Sequence, residues 1–180
     1  YASYCASRGA NEDIWHAPQG VCDLLRAWYH VKSADWKGNS PHPLKAWTAT
    51  ELARMPSYYI MDLDKGIAET MVAGMPTKAE IAACKWMTDE DLNVYCTEFA
   101  RSGFQGGLNY YRVGLRSGLE AFAGRTIDVP SCYIGGKSEW GVYQTPGAFE
   151  SMHKVCSRLL GVHLVPEAGH SLAEERPDEI

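Results

Sequence analysis

Two short segments near the C-terminus each end in a residue suited to proton chemistry. One runs Val129-Pro130-Ser131-Cys132-Tyr133-Ile134-Gly135-Gly136-Lys137-Ser138-Glu139; the other runs Val162-His163-Leu164-Val165-Pro166-Glu167-Ala168-Gly169-His170. A carboxylate beside an imidazole fixes the imidazole tautomer and stabilises its charged form, so that the ring can take a proton from water or a hydroxyl. The pair is the acid–base half of a nucleophilic hydrolase site, and we expect the nucleophile to lie outside this chain. Asp35, Asp62 and Asp64 follow no strand-to-helix glycine elbow, and Ser131 sits inside an apolar run rather than in a Gly-x-Ser-x-Gly frame.

For Glu139 and His170 to meet, their segments must be neighbouring parallel strands ending at the same sheet edge, where ligands of open α/β sheets gather. A helix should connect them. Thr145-Pro146 offers an N-cap and a first-turn proline. Phe149, Met152, Cys156 and Leu159 would line one face, with the helix ending near Gly161. Upstream, residues 1 to about 115 read as helices joined by loops. Val21, Leu24, Leu25 and Trp28 form a helical stripe, and Lys37 to Pro43 breaks it. Thr48 with Glu51, Thr77 with Glu80 and Thr88 with Asp91 have capping-box spacing. Gly103, Gly106 and Gly107 predict a turn before Leu108 to Arg112. These readings divide the chain into a helical region, residues 1–117, and an α/β remnant, residues 118–180.

The bulk numbers agree with a folded globular segment. With 180 residues, 46% hydrophobic and 22% charged, the chain can bury a core and is not disordered. A net charge of −5 without a Lys/Arg cluster argues against nucleic acid. No apolar run approaches the ~18 residues of a membrane span. Cys5, Cys22, Cys84, Cys96, Cys132 and Cys156 lack metal-finger spacing, and several lie among apolar residues as buried free thiols do. We therefore expect a reducing, cytoplasmic setting. The absence of an initial Met, and an end just past Arg176-Pro177, read as cuts within a longer protein.

Gly-Gly-Lys-Ser-Glu after one apolar run, with Ala-Gly-His after the next, resembles the last part of an α/β-hydrolase, whose triad order is nucleophile, acid, histidine. Ser102-Gly103-Phe104-Gln105-Gly106-Gly107-Leu108-Asn109-Tyr110-Tyr111-Arg112 resembles the cap-domain signature of soluble epoxide hydrolases. His16 to Gly20, His30 to Trp36 and Met55 to Asp62 look like a fungal branch of that group. The resemblance covers essentially the whole chain. It implies a partial α/β-hydrolase fold: a helical cap, then the last two parallel core strands with their connecting helix.

Carried over by position, the resemblance makes His170 the general base, and Glu139 its acid partner where the family usually has Asp. Tyr111 matches the cap tyrosine that binds the epoxide oxygen, and Tyr1 matches the second, although Ala2 stands where Gln is expected. Tyr110 is then the packing member of the Tyr-Tyr pair, and Tyr58 and Tyr59 pack or line the cap. The implied reaction adds water to a small apolar epoxide, giving a vicinal diol through a covalent ester, with no cofactor and no metal. Other readings of the same residues are a haloalkane or haloacid dehalogenase, a serine ester hydrolase, or a non-catalytic fragment. The cap aromatics Trp28, Trp36, Trp47, Tyr58, Tyr59 and Trp86 are expected to line an apolar pocket.

Overall fold

Capping and stripe signals set the helices of the first part of the chain. The structure, a computed structural model, describes residues 1–114 and 119–180. Eight helices come first: α1 (Ala2–Cys5), α2 (Ala10–Trp15), α3 (Val21–Lys32), α4 (Ala49–Leu52), α5 (Ile67–Val72), α6 (Lys78–Ala83), α7 (Asp89–Ser102) and α8 (Gln105–Gly114). Then come β1 (Ser131–Gly136), α9 (Trp140–Tyr143), α10 (Ala148–Val155), β2 (Leu159–Val165) and α11 (Leu172–Glu175). The expected boundary between residues 117 and 118 lies outside the described residues. Among the described residues no helix is long and apolar enough to cross a membrane.

The α3 stripe buries Leu24, Leu25, Ala27 and Val31, and the helix packs on α5 and α7. Thr77 and Thr88 make complete capping boxes with Glu80 and Asp91, starting α6 and α7. Thr48 accepts only the Glu51 N–H, as a one-way cap of α4. Two apolar clusters result. One centres on Leu24, Ile67, Met71 and Trp140, the other on Leu25, Met87, Leu92 and Cys96. Cys22 and Cys96 are joined as a disulfide between α3 and α7, so the expectation of free thiols fails for this pair. Their Cα atoms are 5.1 Å apart across the helix contact, within bridging range, although 74 residues separate them in sequence.

The glycine turn is narrower than expected. Only Gly103 breaks the chain, at φ 67°, a left-handed conformation that favours glycine; Gly106 and Gly107 lie inside α8. The buried Asn11 side chain accepts the Phe104 N–H at 2.9 Å, which lets α8 start at Gln105.

β1 and β2 pair in parallel, from Cys132 opposite Gly161 to Gly136 opposite Val165. The connecting helix differs from its expected extent at both ends. Gly147, at φ 72°, is the N-cap residue in place of Thr145, so α10 starts two residues beyond Pro146. It stops at Val155, because Ile127 takes the neighbouring backbone into strand pairing: its N–H donates to Val155 O at 2.7 Å and its carbonyl accepts from Ser157 at 3.0 Å. Cys156 and Leu159 are therefore outside the helix, and Gly161 lies within β2.

At the C-terminal ends of the strands, backbone lies on backbone. A Cβ on Gly136 would come within 2.2 Å of Gly169 O, and one on Gly169 within 2.3 Å of Lys32 O. These two glycines let the end of β1, the turn after β2 and the end of α3 stack in contact.

Candidate active site

Glu139 leaves β1 through Lys137 and Ser138, whose N–H groups donate to Val165 O and Ala168 O at 2.8 Å each. Its residue is 7% exposed, and it is the N-cap of α9. Oε1 accepts the Gly141 N–H at 2.8 Å and the Tyr59 hydroxyl. Oε2 lies 3.3 Å from His170 Nδ1 and has no hydrogen bond of full geometry. Burial pushes the Glu139 carboxyl up, but His170, Tyr59 and the Gly141 N–H outweigh it and hold the group below the ordinary glutamate range. With Nδ1 turned to the carboxylate, Nε2 is the ring nitrogen left to take a proton.

His170 itself is half-exposed and lines a cavity of about 480 Å³. Tyr111, Trp28, Phe99, Phe104 and Leu108 form much of its apolar wall. Phe99 and Phe104 stack with centroids 4.4 Å apart. The cavity thus brings together Tyr111 and His170, two of the residues singled out from the sequence. Tyr1 does not line it; its ring packs edge-on against Tyr111 at 5.7 Å and against Tyr59 at 5.4 Å. Burial, followed by the nearby Tyr1, pushes the Tyr111 phenol up to about 12, so it is a hydrogen-bond donor at neutral pH.

Several expectations need correction. Tyr110 is 80% exposed and is not core packing, because adjacent residues of α8 face different ways while Leu108 and Tyr111 share the inner face. Tyr59 does more than pack, since its hydroxyl donates to the Glu139 carboxylate. Burial first, and then the Glu139 charge, drive that phenol strongly upward. Nothing local separates it from Tyr58, which is equally buried and donates to Asn39 Oδ1 at 2.8 Å. Of the aromatic set expected around the pocket, only Trp28 lines the cavity. Trp36 packs on Tyr58, Trp86 donates to Asp35, and Trp47 is exposed.

Lys32 was not foreseen. It is 5% exposed, and its ammonium sits over the rings of Trp28 at 4.6 Å, Tyr1 at 5.4 Å and Tyr59 at 5.8 Å. Burial pushes this ammonium down, and the Glu139 charge partly restores it. The signal was present in the sequence: Lys32 continues the Leu24, Trp28 spacing of the buried stripe.

No protein-family model matches the chain. Epoxide hydrolase 3 of Siraitia grosvenorii is 41% identical over 102 residues, 53% of this chain and 32% of that protein. Epoxide hydrolase B of Mycobacterium tuberculosis is 33% identical over 97 residues, 52% of this chain and 27% of that protein. The chain therefore spans about a third of the length of the curated relatives it matches. An epoxide hydrolase from an endophytic Streptomyces superposes with a TM-score of 0.75 at 27% identity, over 99% of this chain and 48% of that one. A mutant of the Solanum tuberosum epoxide hydrolase gives 0.68 at 25% identity, over 99% and 49%. With this likeness in sequence and in coordinates, the chain has part of an α/β-hydrolase fold and is similar to epoxide hydrolases.

Proposed function

We propose that residues 1–117 are the cap and residues 118–180 the C-terminal core segment of an epoxide hydrolase that adds water to a small apolar epoxide. The observation that carries this reading is His170, backed by Glu139 at 3.3 Å, on the lining of a cavity that also holds Tyr111. Opening an epoxide with a carboxylate forms a carbon–oxygen ester bond and breaks the ring C–O bond, leaving an alkoxide. Tyr111, protonated at neutral pH, donates to that oxygen; Tyr1, the second phenol that the resemblance implies, stands behind it, its ring packed edge-on against Tyr111 and off the cavity lining. His170 then takes a proton from water, whose oxygen attacks the ester; the two protons of that water end on the two diol oxygens as the diol leaves, freeing His170 and the nucleophilic carboxylate. Glu139 holds the imidazole and balances its charge. A cytoplasmic location is the finer reading and rests on the four free cysteines, with the Cys22–Cys96 bond pulling the other way.

The test is turnover of a chromogenic epoxide and a chromogenic ester by the protein that carries this segment. His170→Ala should lower epoxide kcat by ~10²–10⁴-fold. Tyr111→Phe should nearly abolish epoxide opening and leave ester cleavage largely intact; equal loss of both would sink the epoxide reading. The 180-residue chain alone should turn over neither substrate, and turnover that disappears in His170→Ala would overturn that expectation.

A further inference from the structure

We infer that Glu175 is a positioning residue that latches the His170 turn to the end of α3 and so sets where the imidazole stands under the cavity wall. The inference rests on reading His170 as the base. Glu175 closes α11 and folds back over the turn that precedes it. Its Oε2 accepts two backbone N–H groups, from Gly169 and from Ala34, at 2.9 Å each. Its Oε1 accepts the Ser171 N–H at 3.2 Å. The residues on either side of His170 are thus held by one carboxylate, and the same oxygen reaches a segment 141 positions away in the chain.

His170 completes the joint through its own backbone, donating to Lys32 O at 2.9 Å. That carbonyl belongs to the last turn of α3, where carbonyls have no intrahelical partner. Gly169 has no room for a Cβ against Lys32 O and the Ser33 backbone, so the turn packs directly on the end of α3. A carboxylate that merely capped α11 would have no reason to bond Ala34. As α3 also carries Trp28, on the cavity wall, and Lys32, the latch ties the base to the helix that shapes the pocket.

The experiment is amide hydrogen exchange and imidazole NMR on the chain and on Glu175→Gln, which keeps the shape but offers one acceptor oxygen instead of two. In Glu175→Gln, amides of Ala34, Gly169 and Ser171 should exchange about tenfold faster, the loss expected for one charge-assisted bond, while α7 amides stay unchanged. The His170 Cε1–H signal should shift and that of His153 should not. Unaltered exchange at the three amides, or acceleration spread equally over α7, overturns the latch. Should Glu175→Gln fail to fold, the unsubstituted chain decides: the three amides must open at one common rate, and separate rates overturn the latch. In the protein carrying this segment, kcat should fall about tenfold with KM nearly unchanged, and Glu175→Asp should recover part of it. Absence of epoxide turnover in the unsubstituted protein would sink the functional reading and leave the NMR result standing on its own.

Discussion

The helices of residues 1–114 and the strand–helix–strand unit of residues 131–165 bury their apolar residues very differently. In the first, Leu24, Ile67 and Met71 are at most 1% exposed. In the second, the strands bury only Gly136 and Val165, their last residues, while Ile134 is 40% and Leu160 75% exposed. Burial in the sheet is thus greatest at the edge where Glu139 and His170 stand, where Tyr59 bonds Glu139 and the end of α3 meets the Gly169–His170 turn. The Glu139 carboxylate is buried there against Tyr59, which belongs to the helical part of the chain, while the His170 ring stays half-exposed.

The contrast can be broken most sharply by truncation. Ile67→Ala should cost about 2–5 kcal/mol in urea unfolding, and Leu160→Ala should stay within about 0.5 kcal/mol. Comparable costs at the two sites would mean that the sheet is as well supported as the helices.

A smaller effect probes the junction. Tyr59→Phe removes a hydroxyl bond to a buried carboxylate and should cost about 1.5–3 kcal/mol at pH 7. The Glu139 carboxyl is held low in the folded chain, so its stabilisation is complete above the ordinary glutamate value of ~4.3 and is lost as pH falls through the lower folded value. The Tyr59→Phe deficit should therefore shrink on acidification, measured by urea unfolding across that range. A deficit unchanged toward acid would show that the Tyr59 hydroxyl acts other than through the ionised carboxylate.

The smallest effects compare caps in the two regions. Thr88→Ala should cost about 1 kcal/mol, having lost a complete capping box. Thr145→Ala should change stability by less than about 0.5 kcal/mol, because α10 begins after Gly147 and its cap uses no side chain. Thermal or urea midpoints of the two variants sharpen the comparison, and a larger loss at Thr145 would restore the helix start read from the sequence.

What could be read without coordinates was local or periodic. The caps at Thr77 and Thr88, the α3 stripe and the two apolar runs ending in Glu139 and His170 all depend on residues within a few positions of one another. The parallel pairing followed from those runs because each ends in a group that must face the same edge. The tertiary structure alone chose Tyr59 over Tyr58 as the partner of Glu139, turned Tyr110 outward, paired Cys22 with Cys96 and moved the start of β2 back to Leu159. Each of these is decided by how segments remote in sequence pack together, where geometry and burial select among residues that a linear pattern leaves equivalent.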